Sequence, residues 1–343
     1  MRAVFYEAPQ HFTVSDVPTP RPLPHQVLIK VATCGVCKTD VHIHRGEFIS
    51  EFPLIPGHEF SGTITEVGSE VEDLAVGMRV AVDNTVLCGH CYYCRKNQPL
   101  YCENFYSLGC NGPGGFAQYV VANHDKVFAI GPLSFDQAAM IEPTACAVHG
   151  LDRIALRPGD DVLMFGTGPT GIVLAQLLRH AGALNLVLVG SDPVKLAIAG
   201  KLARADTLLM DRSHYDLHRN AIDHRYPHGF DVVIDATGAA EVLQDCPRYA
   251  RRGGKIIVYG VTHETDTMTI NPYQVFHKEL SIIGSFAQTH AFDRAIQYLQ
   301  LGLVQVDDII THRFPLEDFQ SALDQVDHGS GHIKVIMDLQ NPS

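Results

Sequence analysis

Several things are missing from this 343-residue chain, and each absence narrows what it does. No apolar run is long enough to span a bilayer. The most apolar region, residues 161–190, is broken by glycines, Arg179 and His180. The first residues, Met1-Arg2-Ala3-Val4-Phe5-Tyr6-Glu7, lack the basic-then-apolar order of a secretory signal. A soluble, cytoplasmic protein is therefore the expectation, with no membrane as partner. A formal charge of −12 is spread without long acidic runs, which argues against nucleic acid or an anionic surface as partner. Internal repeats and low-complexity tracts are absent. A disulfide framework is also unexpected: the nine cysteines are an odd number in a long chain, and four of them crowd into residues 88–102.

The remaining sequence has two textures. Residues 1 to about 145 are β-rich, with Val27–Val31, Ser61–Val67 and Arg79–Val82 apolar or alternating between Gly and Pro punctuation. Helical period is scarce there. From about Arg157 strands and helices alternate: Asp161–Gly166, Thr170–His180, Leu186–Val189, Pro193–Ala203, Thr207–Met210, Asp231–Asp235, Lys255–Tyr259 and Leu280–Gly284. Such alternation calls for a parallel sheet covered on both faces. A helix over Ala291–Leu301, a strand near Ile309, a helix over Leu316–Gln325 and a strand Lys334–Met337 follow. This tail is expected to return to the first domain. The expected division is residues 1–148, 149–286 and 287–343.

Gly166-Thr167-Gly168-Pro169-Thr170-Gly171 fits G-x-G-x-x-G, follows a predicted strand and opens a predicted helix. The first glycine allows the tight turn, the second lets backbone approach a pyrophosphate, and the third lets helix pack on sheet. The helix N-terminus adds free N–H groups and partial positive charge. The same glycines would also serve a structural turn in another α/β fold. The acid that normally binds a ribose 2′-hydroxyl about twenty residues on is replaced by Gly190. Gly190 leaves room for a 2′-phosphate, with Ser191 and Lys195 as donors, so NADP(H) is expected. NAD remains the alternative, with Asp192 in the acidic role. Thr237, Gly260, Val261, Ser285 and Phe286, each close behind a later strand, complete the expected nucleotide contacts.

Cys88, Cys91, Cys94 and Cys102 are spaced C-x2-C-x2-C-x7-C. Four thiolates this close suit a closed tetrahedral zinc that pins a loop. The iron–sulfur run of ferredoxins needs a shorter last gap and a following proline, and Glu103 stands there instead. A second donor set comprises Cys37 and the His58-Glu59 pair, held between Gly57 and Gly62. Thiolate, imidazole and carboxylate together suit zinc with one open position. Either Glu59 or Glu142 would complete the shell. Thr39 and His42 follow Cys37 by two and five residues, a hydroxyl and an imidazole that can pass a proton outward. A surface histidine beside His44 is the other reading of His42. Cys34, Cys110, Cys146 and Cys246 read as packing thiols.

Together these features resemble the zinc-dependent medium-chain dehydrogenase/reductase family, and the match covers essentially the whole chain. The signature Gly57-His58-Glu59, Gly62, Gly68 and Val71, the four-cysteine lobe and the nucleotide loop all stand. The resemblance implies a GroES-like β-rich catalytic domain plus a Rossmann doubly wound parallel-sheet domain, an α/β chain overall. It implies that Cys37, His58 and Glu59 hold the catalytic zinc, with Glu142 close by. Glu142-Pro143 is similar to the polyol and threonine dehydrogenase branch, and Glu142–His149 is most similar to dehydrogenases of the arabinitol type. Two residues depart from the branch. Lys38 replaces its usual glycine and is expected at the cofactor pyrophosphate, and Gly190 replaces its usual acid.

The activity implied is reversible oxidation of a secondary alcohol of a polyol to a ketose. The metal polarises the alcohol oxygen, the proton leaves through Thr39 and His42, and the hydride passes to a nicotinamide across an interdomain cleft. A threonine-type amino alcohol, an aldehyde, or a zinc-stabilised NADPH-binding protein without catalysis are the alternatives. An apolar edge strand near Ile282 needs cover, and in this family two such strands pair across a dyad, so a homodimer or homotetramer is expected.

Overall fold

The computed structural model describes residues 1–340. It parts into two compact units. One comprises residues 1–145, 288–302 and 306 onward, the other residues 146–287 and 303–305. The first stretch carries strands β1 (Arg2–Ala8), β2 (His11–Asp16), β3 (Gln26–Val36), β4 (Glu59–Val67), β5 (Arg79–Val82), β6 (Thr85–Val86), β7 (Tyr106–Ser107), β8 (Tyr119–Asn123) and β9 (Val127–Ala129). Its helices are short: α1 (Lys38–His44), α2 (Tyr92–Arg95) and α3 (Phe135–Ala139). Helix α4 (Ile141–Ile154) leads into β10 (Val162–Phe165), α5 (Pro169–His180), β11 (Leu186–Gly190), α6 (Pro193–Ala203), β12 (Asp206–Leu209) and α7 (Tyr215–Arg225). Then come β13 (Phe230–Asp235), α8 (Ala240–Tyr249), β14 (Ala250–Val258), α9 (Pro272–Lys278) and β15 (Ser281–Gly284). The last described elements are α10 (Phe292–Gln300), β16 (Ile310–Pro315), α11 (Phe319–His328) and β17 (Lys334–Asp338).

The first unit is built on a seven-stranded sheet in the order β16-β17-β3-β4-β5-β9, with β8 pairing β3. Strand β3 is its spine. It pairs antiparallel with β17 on one side, with β4 on the other, and with β8 near its start. Being enclosed, it is buried along nearly its whole length, with Lys30 exposed and Gln26 at its start half-buried. This explains a difference from the sequence reading, which ends the strand at Val31. Ala32–Val36 has the small, polar look of a turn, but partners on both sides extend it as strand. The core behind the sheet gathers Val4, Ile29, Phe60, Ile64, Phe116, Phe319 and Met337, each 2% exposed or less. Large side chains so buried each contribute about 1.5–3 kcal/mol. The final strands thus return to the sheet that β3, β4 and β5 begin, while β1 and β2 pair with each other in a sheet of their own.

The second unit holds six parallel strands in the order β12-β11-β10-β13-β14-β15. The order reverses between β10 and β13, the doubly wound Rossmann arrangement with its ligand crevice at the switch point. Strands β10 and β11 are buried at every residue, which is why they read as continuous apolar runs rather than alternating ones. Two boundaries differ from expectation. Strand β14 begins at Ala250 rather than Lys255, and the irregular pairing between Phe230 and Val232 absorbs its Gly253-Gly254 kink. The predicted helix at Leu316 opens as a 3₁₀ turn, with α-geometry only from Phe319. Among the described residues no helix is long and apolar enough to cross a membrane.

Candidate active site and nucleotide site

Strand register creates the first site. Gly35 on β3 pairs with Glu59 on β4, so the end of β3 and the start of β4 lie side by side. Cys37 leaves β3 and caps α1, while His58 and Glu59 enter β4. Residues 21 positions apart in sequence thereby meet: one donor atom each of Cys37, His58 and Glu59 lies within 4.8 Å of the others. Bonds of about 2.0–2.3 Å to a single zinc would hold such donors under about 4 Å apart, a small closure from this spacing. His58 and Glu59 are 5% and 1% exposed, an expensive burial for polar groups with no ion to serve. Glu142 stands in the first turn of α4, half-buried, and is not one of the mutually close donors.

The surroundings orient these donors. Asp40, buried in α1, accepts from the Cys37 backbone N–H at 2.8 Å, and its other oxygen faces His58 Nδ1 at 3.6 Å. A carboxylate behind Nδ1 leaves Nε2 as the donor toward a metal. Burial works against the His58 imidazolium, but Cys110 and Asp40 outweigh it and the pKa stands well above the ordinary imidazole value. A dication at Nε2 would displace that proton. Cys110 is 4% exposed in the core of the first unit, as a packing thiol should be, and its charge is one of the influences that raise the His58 pKa. Cys34 and Cys246 are buried, as packing thiols should be, and Cys146 is half-buried in α4.

On the other side of β3, β17 brings Lys334 to the site. Its ammonium is 2% exposed and pairs directly with Glu59 Oε2. Burial alone would lower the Lys334 pKa, but Glu59, with Cys37 and Asp40 behind it, raises it above the ordinary value. The pair needs the missing side chain of Gly35. A Cβ there would land on Glu59 Oε2 and stand 2.8 Å from Lys334 Cε. Asp40 shows a local signal, as the third residue of a helix capped by Cys37. Lys334 shows none, because it lies nearly 300 residues from Cys37.

Thr39 and His42 both lie on α1. Thr39 Oγ1 is 3.7 Å from Cys37 Sγ. His42 Nδ1 is 2.6 Å from Glu47 Oε2. Lys38, expected at the pyrophosphate, donates to Asp327 Oδ1 of α11 at 2.6 Å, and Arg45 bonds the same carboxylate.

The four-cysteine lobe is compact. Donor atoms of Cys88, Cys91, Cys94 and Cys102 all lie within 4.8 Å of one another. Backbone N–H groups point at sulfur: Cys91 N donates to Cys88 Sγ and Cys88 N to Cys102 Sγ, each at 3.4 Å. The backbone of His90 and the side chain of Asn104 hold the Cys88 thiol down to about 5. Desolvation and neighbouring thiols push Cys94 up to about 12. All nine cysteines are free thiols.

In the second unit, the glycine loop leaves β10 and enters α5. Gly166 takes φ +107°, and a Cβ there would stand 2.6 Å from Ala236 O in the loop after β13. Gly168 caps α5 without a side-chain hydrogen bond, and its Cβ position is open space. Thr167 is buried behind it. Pro169 and Thr170 form the first turn, and Gly171 packs against Gly166 O at 2.7 Å from its Cβ position. The result is an uncovered helix N-terminus at the switch point, the geometry that receives a phosphate. Gly190 ends β11 with Thr167 Oγ1 2.7 Å from its Cβ position. Ser191 is exposed and Lys195 half-buried; burial lowers the lysine pKa against the pull of Asp192. Asp192 Oδ1 is occupied as the cap of α6, accepting from Val194 N at 2.9 Å and Lys195 N at 3.1 Å. Thr237 donates to Asp235 Oδ1 from both N and Oγ1. Gly260 packs on the Thr237 turn, while Val261, Ser285 and Phe286 follow the ends of β14 and β15, with Val261 and Phe286 exposed.

Residues 23–132 match the model of the alcohol dehydrogenase GroES-like domain, and residues 169–301 that of zinc-binding dehydrogenases. D-arabinitol dehydrogenase 1 of Uromyces fabae is 44% identical over 95% of this chain and 94% of its own. An L-threonine 3-dehydrogenase of Alteromonas mediterranea is 33% identical over 95% of this chain and 96% of its own. Among solved structures, a zinc-binding dehydrogenase from Sinorhizobium meliloti bound to NADP superposes with a TM-score of 0.92 at 31% identity, covering 98% of each chain. The chain belongs to the zinc-dependent medium-chain dehydrogenase/reductase family, in the branch of the polyol dehydrogenases.

Proposed function

We propose that the protein oxidises a secondary hydroxyl of an arabinitol-like polyol to the ketose, reversibly, with NADP(H) as hydride carrier. One observation carries the reading: a Cys, His and Glu donor set gathered within 4.8 Å, in a chain 44% identical to a D-arabinitol dehydrogenase. Cys37, His58 and Glu59 would hold the catalytic zinc, with Glu142 as the neighbouring carboxylate. When bound there, zinc supplies Lewis-acid chemistry that lowers the pKa of an alcohol. Asp40 fixes the His58 ring, and Lys334 holds one oxygen of Glu59. Thr39 takes the proton of the substrate hydroxyl and His42 receives it from Thr39. Cys88, Cys91, Cys94 and Cys102 would hold a closed structural zinc that does no chemistry.

The nucleotide loop, residues 166–171, takes the pyrophosphate on the bare N-terminus of α5, with Thr237, Gly260, Val261, Ser285 and Phe286 around the rest of the cofactor. Lys38 would reach the pyrophosphate only by giving up Asp327. NADP over NAD is supported by Gly190, by Ser191 and Lys195 beside it, and by the engagement of Asp192 as a helix cap. The reading includes a cytoplasmic, homo-oligomeric protein.

The test is an assay of polyols, their phosphate esters and L-threonine with both cofactors, on the parent protein and on Cys37→Ser and His58→Ala. Arabinitol-type polyols should be oxidised by the parent. Both variants should lose turnover by at least about a hundredfold and still bind NADPH. Normal turnover in either variant would sink the site assignment, and a preference for threonine would replace the substrate.

A further inference from the structure

We infer that Glu47 is the outer member of the proton relay, the group that takes the proton from His42 and hands it to water. This rests on the reading of Thr39 and His42 given above and extends it by one residue. The chain after α1 is built to hold Glu47 against His42. Gly46, at φ +75°, reverses the backbone, and a Cβ there would stand 2.6 Å from Pro9 Cγ. The Glu47 N–H then donates to the His42 carbonyl at 2.9 Å, and Ser50 Oγ donates to the Glu47 carbonyl at 2.9 Å. The side chain closes the loop, with Glu47 Oε2 2.6 Å from His42 Nδ1. Glu47 is thus tied to His42 by backbone and side chain together.

The pairing sets the tautomer. With Nδ1–H donated to a carboxylate, Nε2 keeps the lone pair that accepts a proton. The side chains are 19% and 31% exposed, rising from His42 to Glu47, so the pair leads outward. Other ionisable groups on and against α1 are committed elsewhere. Asp40 serves Cys37 and His58; Lys38 and Arg45 share Asp327 of α11, which His328 also approaches; His44 bonds the Tyr6 hydroxyl at 2.8 Å and feels Asp324. In alcohol oxidation the substrate O–H bond breaks and its proton passes through Thr39 Oγ to His42 Nε2. The Nδ1 proton moves to Glu47 Oε2 and then to bulk water. The hydride leaves separately, so one proton is released per alcohol oxidised.

A plain turn staple would serve equally well with a neutral acceptor, and this separates the two roles. Turnover of D-arabinitol with NADP+, or of the best alcohol in the panel, is measured for Glu47→Ala, Glu47→Gln, Glu47→Asp and His42→Ala. Melting temperature, zinc content and NADPH binding are followed alongside. Glu47→Ala and Glu47→Gln should lower kcat about tenfold, with KM, zinc content and NADPH binding close to the parent's. Glu47→Asp should recover most of the rate. Added sodium formate should restore Glu47→Ala by at least about threefold in a saturable way, whereas sodium chloride should not. Full turnover in Glu47→Gln, or equal effects of formate and chloride, overturns the role of Glu47 while a slow His42→Ala leaves the relay standing. Normal turnover in His42→Ala, or failure on every alcohol, overturns the underlying reading and this inference with it.

Discussion

A buried ion pair is rarely a source of stability, because desolvating two charges cancels most of their attraction. Lys334 and Glu59, 2% and 1% exposed, are therefore better understood through the metal. Glu59 must be buried to reach Cys37 and His58, and Lys334 neutralises it there. Gly35 keeps the room both side chains need. Removing one member of such a pair costs about 3–5 kcal/mol, because the other charge is stranded. A bound dication can neutralise Glu59 in the lysine's place. Lys334→Met should accordingly lower the melting temperature of chelator-treated protein well below that of the parent treated alike. Zinc should restore most of the loss, so the gap between loaded and stripped protein widens in the variant. An equal fall with and without zinc would show that Lys334 serves packing alone.

At the scale of elements, the Rossmann strands were legible because enclosure on both faces demands unbroken apolar runs, as in Val162–Phe165 and Leu186–Gly190. The four-cysteine lobe and the glycine loop were legible because each lies within one short stretch. What hid was made by register: Gly35 beside Glu59, and Lys334 delivered by the last strand, follow from pairings of β3 that no local pattern announces. The end of β3 hid for the same reason, since Ala32–Val36 is strand only because it has neighbours. The junction of β11 and α6 lies between these cases. Its missing acid at Gly190 is visible in sequence, but the occupation of Asp192 by two backbone N–H groups is not. That cap, worth about 1 kcal/mol, would be lost if Asp192 turned to a ribose. Gly190→Asp should instead supply the acid at the strand end, with Thr167 Oγ1 moving aside. Fluorescence titration should find NADPH bound more tightly than NADH by the parent. In the variant that preference should fall by at least about tenfold, since a carboxylate would face a 2′-phosphate. Tighter NADH binding by the parent would reverse the cofactor assignment.

For the molecule as a whole, the two edges of the parallel sheet differ in a way that bears on assembly. At the β12 edge, Asp206 carries charge and is bonded by Arg225 and Tyr226, which makes pairing with another chain unfavourable. At the β15 edge, Ser281–Gly284 has no charged residue, and Ile282 is 39% exposed. Nearby in sequence, Tyr273 and Phe276 of α9 are 67% and 79% exposed. Natural sheets protect free edges with lysine, proline or a bulge, and β15 has none of these. A strand of this kind is satisfied by a second copy of itself, antiparallel across a two-fold axis, which makes one patch serve both partners. Light scattering should accordingly find at least a dimer at micromolar concentration. Ile282→Lys places a charge opposite its own copy near the dyad and should shift the protein toward monomer, with the far-ultraviolet circular dichroism of the parent kept. A parent that is monomeric at every concentration, or an Ile282→Lys variant as large as the parent, would remove β15 as the contact and leave its apolar edge without an explanation.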